Sequence, residues 1–98
     1  MNHVEQVPAH GWRSWIDDNR GRMIDVREPY EWAMGTLPEA EKISLGSLAQ
    51  QVHSLDKNQP LLLICRSGAR SNQAAHALAR AGYKTANLAG GLMALGMA

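Results

Sequence analysis

Leu61-Leu62-Leu63-Ile64-Cys65 is an apolar run with no polar position, and it constrains the fold more than any other segment. A strand that is buried on one face alternates apolar and polar residues, whereas a strand buried on both faces does not. Strands of the second kind are typical of parallel sheets, which have helices on each side. We therefore predict a strand over 61–65 that is covered on both faces in a mostly parallel sheet.

Other segments predict strands and helices that alternate along the chain. A short strand that stops at Pro8 is expected at a sheet edge, because proline cannot donate to a strand ladder. Trp12 and Trp15 are expected on the core-facing side of the first helix. The alternation predicts an α/β sandwich with a mostly parallel sheet. The other expected strands are 4–7, 23–27, 42–45 and 85–88, and the helices are about 9–18, a short one from Pro29, 48–55 and 71–81.

Length and composition limit the class of protein. A chain of 98 residues suits one domain over 1–98. The formal net charge of +1 is spread along the chain, which argues against nucleic acid as a partner. Its single cysteine permits no internal disulfide and no thiolate zinc site. No apolar run is long enough to span a membrane and no secretory signal begins the chain, so we expect a cytoplasmic protein unless the sequence was cut from a longer one.

Cys65 begins the segment Cys65-Arg66-Ser67-Gly68-Ala69-Arg70, here called the cysteine loop, which follows the apolar strand and precedes a predicted helix. Ligands of parallel sheets bind beyond the carboxyl ends of the strands. The loop N–H groups and the helix N-terminus would form an anion cradle there, with Gly68 allowing a tight turn. Such donors and the two arginines favour the thiolate. Cys65 is therefore either a nucleophile or a buried thiol that ends a core strand, and the gathered positive charge favours the nucleophile.

The chain resembles the single-domain rhodaneses, which are modules of the thiosulfate sulfurtransferase type. The stretch "LLLICRSGARS" resembles the family's active-site loop, "MIDVREPYEW" its Asp-Val-Arg segment, and "NLAGG" the turn after its last strand. These pieces stand in the family's order, and the resemblance spans nearly the whole chain.

The resemblance implies a three-layer α/β fold, with a mostly parallel five-stranded sheet flanked by helices. It also implies a sulfur transfer in two steps, without a cofactor or a metal. Cys65 would attack the outer sulfur of a small anionic donor such as thiosulfate, and sulfite would leave. Arg66 and Arg70 would hold the donor, while the backbone N–H groups of residues 66–70, including Ser67, Gly68 and Ala69, would cradle the persulfide. With no second cysteine, an external acceptor must take the sulfur, such as cyanide, a thiol or a thioredoxin-like protein.

Three further residues match the family pattern in supporting positions. Asp25 and Arg27 are two apart on a predicted strand and share one face, so we expect an ion pair that braces the site. Ser71 is expected to cap the helix that follows the cysteine loop.

Two segments depart from the family pattern. Family members commonly carry a histidine where Gly35-Thr36-Leu37 has threonine, which we interpret as a change in packing. The end of the chain, 92–98, lacks the usual tryptophan and the Gly-x-Pro exit. The four histidines show no metal-ligand spacing.

Two rival functions remain open. Cysteine-dependent phosphatases and arsenate reductases use a similar loop, but theirs is one residue longer than the four that separate Cys65 from Arg70. The shorter loop fits a sulfane sulfur better than a tetrahedral oxyanion. A non-enzymatic persulfide carrier, or a partner-binding module that senses sulfur species, would need the same residues as an enzyme, so the sequence leaves that rival open.

Overall fold

The computed structural model describes residues 3–97, and within them five strands alternate with four α-helices, as predicted. The strands are β1 (Glu5–Pro8), β2 (Arg22–Asp25), β3 (Glu41–Lys42), β4 (Leu61–Ile64) and β5 (Thr85–Ala89). The helices are α1 (Trp12–Asn19), α2 (Pro29–Trp32), α3 (Leu45–Gln51) and α4 (Ala69–Arg80). Short 3-10 turns cover Ala9–Gly11, Val52–Ser54 and Leu92–Leu95. None of the helices in residues 3–97 is both long and apolar enough to cross a membrane.

The five strands form one sheet in the order β1-β5-β4-β2-β3, and every pair is parallel. Strand β4 lies in the middle, with Leu63 opposite Ile24 of β2 and Asn87 of β5. All four residues of β4 are fully buried. The prediction of a parallel strand covered on both faces is confirmed. Strand β1 lies at an edge of the sheet, as expected for a strand that ends in proline.

The side chains of β4 are divided between two apolar cores, one on each face of the sheet. Leu61, Leu63 and Cys65 lie in the core covered by α3 and α4. Leu62 and Ile64 lie in the opposite core, which α1 and the C-terminal 3-10 turn cover. Burial on both faces explains why this strand shows no alternation of apolar and polar residues.

Several predicted element boundaries are wrong. The second strand was expected over 23–27 but β2 ends at Asp25, and the helix expected over 48–55 is α3, which begins at Leu45 and ends at Gln51. The third strand was expected over 42–45, but β3 ends at Lys42 and Ser44 instead caps α3, where its hydroxyl accepts the N–H of Ser47 at 3.4 Å. The last helix was expected to begin with Ser71 as its cap. It begins at Ala69 after Gly68, which has φ +97° as the N-cap residue, a conformation that glycine adopts without steric cost.

The turn after β5 packs directly on the cysteine loop. The N–H of Leu92 donates to the carbonyl oxygen of Cys65 at 3.0 Å, and the N–H of Met93 donates to that of Arg66 at 2.9 Å. Gly91 permits this approach with φ +61° and ψ −163°, a conformation open essentially to glycine alone. A Cβ atom at Gly91 would lie 2.7 Å from the carbonyl oxygen of Cys65.

Gly91→Ala is therefore expected to destabilise the protein by at least about 2 kcal/mol, because it adds both backbone strain and a clash. In thermal unfolding this corresponds to a fall in Tm of about 10 °C. Gly46→Ala is the matched control, since Gly46 lies in α3 and a Cβ there would meet nothing within 4 Å. The control is expected to match or exceed the wild-type Tm. Equal Tm values for the two variants would contradict the assigned role of Gly91.

Candidate active site

Cys65 lies at the carboxyl end of β4, immediately before the loop that leads into α4. Its side chain is fully buried. Because Gly68 is the N-cap, the first turn of α4 begins beside the sulfur atom. Unpaired N–H groups at a helix N-terminus favour negative charge. The fold therefore brings a buried thiol to the positive end of a helix.

Three hydrogen bonds converge on the sulfur of Cys65. The N–H groups of Gly68 and Ser71 lie 3.1 and 3.3 Å from Sγ, and the hydroxyl oxygen of Ser71 lies 3.2 Å from it. Burial alone would raise the pKa of the Cys65 thiol. The hydrogen bonds from the Ser71 hydroxyl and from the loop N–H groups outweigh burial, so the pKa falls below its ordinary value.

Ser71 thus contacts the sulfur and does not cap the helix. It is the third residue of α4 and fully buried. The prediction of a capping role is wrong because Gly68 already provides the left-handed cap, and the Ser71 side chain points to Cys65 and Asn87.

The exposed part of the cysteine loop carries free donors. Arg66 and Ser67 are both exposed, and within residues 3–97 the Arg66 guanidinium takes part in no ion pair. The hydroxyl of Ser67 accepts the N–H of Ala69 at 3.4 Å. Among the described residues, the backbone N–H groups of Arg66 and Arg70 find no acceptor. The loop therefore offers one unpaired cation and two unused N–H groups.

Arg70 is held by a partner that the sequence analysis missed. Its guanidinium makes two parallel hydrogen bonds to the Glu31 carboxylate, at 2.7 and 2.8 Å. The bonds from Arg70 hold the pKa of Glu31 down at about 2, although burial opposes this. Glu31 also accepts the N–H of Glu28 in a capping box at the start of α2. The Glu-x-x-Glu spacing around Pro29 was the available sequence signal.

Asp25 and Arg27 form the expected ion pair, and both side chains are almost completely buried. The Arg27 guanidinium lies 2.9 Å from Asp25 and donates to the carbonyl oxygen of Gly35 at 2.6 Å. Thr36, at the position where the family commonly has histidine, donates its hydroxyl proton to Asp25 at 2.6 Å. The pair thereby ties β2 to the segment after α2, and its carboxylate is fully satisfied.

An open cleft of about 270 Å³ lies beside the cysteine loop. Arg66 contributes the free charge to its wall, while Tyr30 and Met34 are 71% and 73% exposed. Its lining residues are Arg27, Tyr30, Glu31, Met34, Arg66 and Met97. Within residues 3–97 no group of three or more His, Cys, Asp or Glu side chains is arranged to hold a metal ion.

Loss of the Glu31 carboxylate is expected to destabilise the protein in a pH-dependent manner. The folded-state pKa of about 2 lies below the unfolded value of 4.5, so this stabilisation is present above pH 4.5 and disappears as the pH falls towards 2. Because Arg70 is 39% exposed, solvent screening limits the effect to about 1 to 2 kcal/mol. Denaturant unfolding should show Glu31→Gln less stable than wild type at pH 7, with a difference less than half as large at pH 3.

Asp17→Asn is the matched control, because Asp17 is exposed on α1 and makes no ion pair among the described residues. Its free energy of unfolding should follow that of the wild type at both pH values. A Glu31→Gln difference that stays constant with pH would contradict the ion-pair assignment.

Comparison with known proteins agrees with this geometry. The family model "Rhodanese-like domain" matches residues 10–98. The chain is 43% identical over 92 residues to the putative sulfurtransferase YtwF of Bacillus subtilis, covering 93% of this chain and 89% of that protein. Among solved structures, the human single-domain sulfurtransferase TSTD1 superposes with a TM-score of 0.74 at 30% identity, over 95% of this chain and 96% of that one.

A further solved structure contains the same fold inside a longer protein. The reduced CoADR-RHD of Bacillus anthracis superposes with a TM-score of 0.85 at 32% identity. That match covers 96% of this chain but only 17% of the other protein. The fold, the cysteine loop and the family model all lead to the same assignment, and the chain belongs to the family of rhodanese-like domains.

Proposed function

We propose that the protein is a sulfurtransferase that moves a sulfane sulfur from an anionic donor such as thiosulfate to a thiol or cyanide. The sulfur is carried as a persulfide on Cys65. The observation that carries the proposal is the Cys65 sulfur at the N-terminus of α4, with three hydrogen-bond donors directed at it. The names of relatives such as YtwF and TSTD1, both called sulfurtransferases, support the same reaction class.

The first step needs a thiolate and an anionic donor. The Cys65 thiolate attacks the outer sulfur of thiosulfate and forms a new S–S bond. The S–S bond of thiosulfate breaks, and its electron pair leaves with sulfite. Charge balances without an added oxidant, since the persulfide anion takes the place of the thiolate. The hydrogen bonds that lower the pKa of Cys65 favour the attacking form.

The unused N–H groups of the cysteine loop suit the persulfide. Its outer sulfur lies about 2.05 Å beyond Sγ, and it carries the negative charge. The N–H groups of Arg66 and Arg70 have no acceptor among the described residues and flank the two ends of the loop. Backbone donors fixed in advance stabilise such an anion without reorganisation.

The two arginines of the cysteine loop have different proposed roles in binding the sulfur donor. Glu31 engages Arg70, which fixes that guanidinium in place and offsets its charge. Arg66 is exposed at the cleft and has no ion pair among the described residues, so it is the residue proposed to contact the sulfonate oxygens. The buried Asp25–Arg27 pair is proposed to brace the wall of the cleft and to take no part in chemistry.

The acceptor must come from outside the chain. Cys65 is the single cysteine, so no internal thiol can resolve the persulfide. The exposed Tyr30 and Met34 side chains leave room beside Arg66 for a thiol carried on a larger molecule. A free cysteine at the centre of the reaction fits a reducing compartment, and we propose the cytoplasm.

Incubation of the reduced protein with thiosulfate is expected to add the mass of one sulfur atom, as measured by intact-protein mass spectrometry. Cyanide or a thiol should remove the added mass. Cys65→Ser is the control and should gain nothing. If neither thiosulfate nor an organic persulfide adds sulfur to the wild type, the proposal is wrong. Turnover of an aryl phosphate would instead support the alternative that the protein is a cysteine-dependent phosphatase.

Arg66→Gln is expected to raise the KM for thiosulfate about tenfold, because a charge-assisted hydrogen bond to the donor is lost. Initial rates of sulfite release with cyanide as acceptor measure this. Arg80→Gln removes the same charge from the opposite end of α4 and should leave KM unchanged. Similar KM values for the Arg66 and Arg80 variants would count against direct contact between Arg66 and the donor.

A further inference from the structure

We propose that Asn87 is a positioning residue, which sets the direction of the Ser71 hydroxyl and thereby the ease with which Cys65 ionises. Asn87 lies on β5, is 3% exposed and is not among the described residues that hydrogen-bond to the sulfur. The inference rests on the proposed function only in taking Cys65 as the reacting group.

A chain of hydrogen bonds runs from the sulfur to the protein surface. The Ser71 hydroxyl oxygen lies 3.2 Å from Cys65 Sγ and 2.6 Å from Asn87 Oδ1. Asn87 Nδ2 donates to Gln6 Oε1 at 2.9 Å. Gln6 Nε2 donates in turn to Asn72 Oδ1 at 2.8 Å, on the exposed side of β1. Four neutral polar side chains thus connect the buried thiol to solvent.

The Ser71 hydroxyl has one proton, and two neighbouring atoms, Cys65 Sγ and Asn87 Oδ1, can each accept it. It can donate to Asn87 Oδ1 or to the sulfur, but not to both. In the first arrangement the S–H of Cys65 donates to Ser71 and Ser71 donates to Asn87. Each amide then donates to the next side chain towards the surface. Every group is satisfied, and this polarity suits the neutral thiol.

Ionisation of Cys65 requires the opposite polarity. The thiolate has no proton to donate, and it is stabilised when the Ser71 hydroxyl turns towards it. The oxygens of Ser71 and Asn87 would then face each other at 2.6 Å without a hydrogen between them. Rotation of the Asn87 amide places its N–H towards Ser71 and removes this repulsion, since the amide oxygen and nitrogen occupy equivalent positions.

The reversal can pass outward at little cost because the chain ends at the surface. Gln6 turns over to donate to Asn87, and its other end meets Asn72 and water. The proton lost by the thiol goes to solvent, and no group is oxidised or reduced. The direction of the hydrogen bonds in this chain of side chains therefore reverses when the sulfur becomes charged.

The charged groups near Cys65 do not belong to this chain. They are Arg66 and Arg70 of the cysteine loop, Glu31 of α2 paired with Arg70, and the Asp25–Arg27 pair at the end of β2. Their charges act on the thiol in the same way whichever direction the hydrogen bonds of the chain take. The side chains whose hydrogen bonds can reverse lie on the β5 side, where Ser71, Asn87 and Gln6 are all uncharged.

The test is whether Asn87 controls the effect of removing the Ser71 hydroxyl. The rate of alkylation of Cys65 by iodoacetamide, measured against pH with no sulfur donor present, reports the thiolate. Ser71→Ala is expected to slow alkylation at neutral pH about fivefold in the wild-type background, because a hydrogen bond to the charged sulfur is lost. In the Asn87→Asp background the same substitution should have almost no effect, because a carboxylate accepts but cannot donate and so retains the Ser71 proton.

Charge alone cannot produce this result, because the added carboxylate is present with and without the Ser71 hydroxyl. Equal effects of Ser71→Ala in the two backgrounds would overturn the proposal. The measurement uses no sulfur donor, so its outcome is independent of whether thiosulfate loads the protein.

A second background removes the risk that the buried Asn87→Asp variant fails to fold. Gln6→Glu changes an exposed residue. The new carboxylate can only accept a hydrogen bond from Asn87, so Asn87 keeps its N–H towards residue 6 and its oxygen towards Ser71. Ser71→Ala should then slow alkylation by clearly less than fivefold. Gln51→Glu adds the same charge on α3 away from the chain and should leave the full effect. A full effect in the Gln6→Glu background would also contradict the proposal.

Discussion

Two hydrogen bonds, from the N–H groups of Leu92 and Met93 to the carbonyl oxygens of Cys65 and Arg66, orient the cysteine loop. In a trans peptide unit the N–H points opposite to the C=O. Carbonyls that face the C-terminal turn therefore direct the N–H groups of Arg66 and Ser67 away from it. The proposed anion cradle of the loop thus depends on a turn after the last strand, and on the glycine at position 91 that lets the two backbones meet.

The charges around the site are arranged so that few remain free. Arg27 is neutralised by Asp25 inside the protein, and Arg70 by Glu31 at the edge of the cleft. Both pairs hold neighbouring segments in place: Arg27 binds the segment after α2, and Glu31 joins α2 to the start of α4. Among the described residues, Arg66 is left as the unpaired cation of the cysteine loop, which makes it the one charge there that is free for the proposed donor.

The sequence was most informative where local chemistry decides the structure. The apolar run 61–64 identified the central strand, and the residues after it identified the cysteine loop, because neither needs knowledge of distant segments. The start of α4 was misplaced, because serine is the more usual capping residue, whereas here Gly68 begins the helix in a left-handed conformation and the buried Ser71 contacts Cys65 and Asn87. Glu31, Thr36 and Asn87 were missed for another reason. Their roles come from contacts with Arg70, Asp25 and Ser71, which only the folded sheet brings near.

The complete burial of Cys65 has a further consequence for which molecules can react there. A sulfur atom without exposed surface meets no reagent while the packing around it stays closed, so every reaction at Cys65 requires the loop or the side chains above it to move aside. A reagent with a slender reacting end needs a smaller movement than a bulky disulfide does. The packing around the sulfur therefore favours compact reagents over bulky ones.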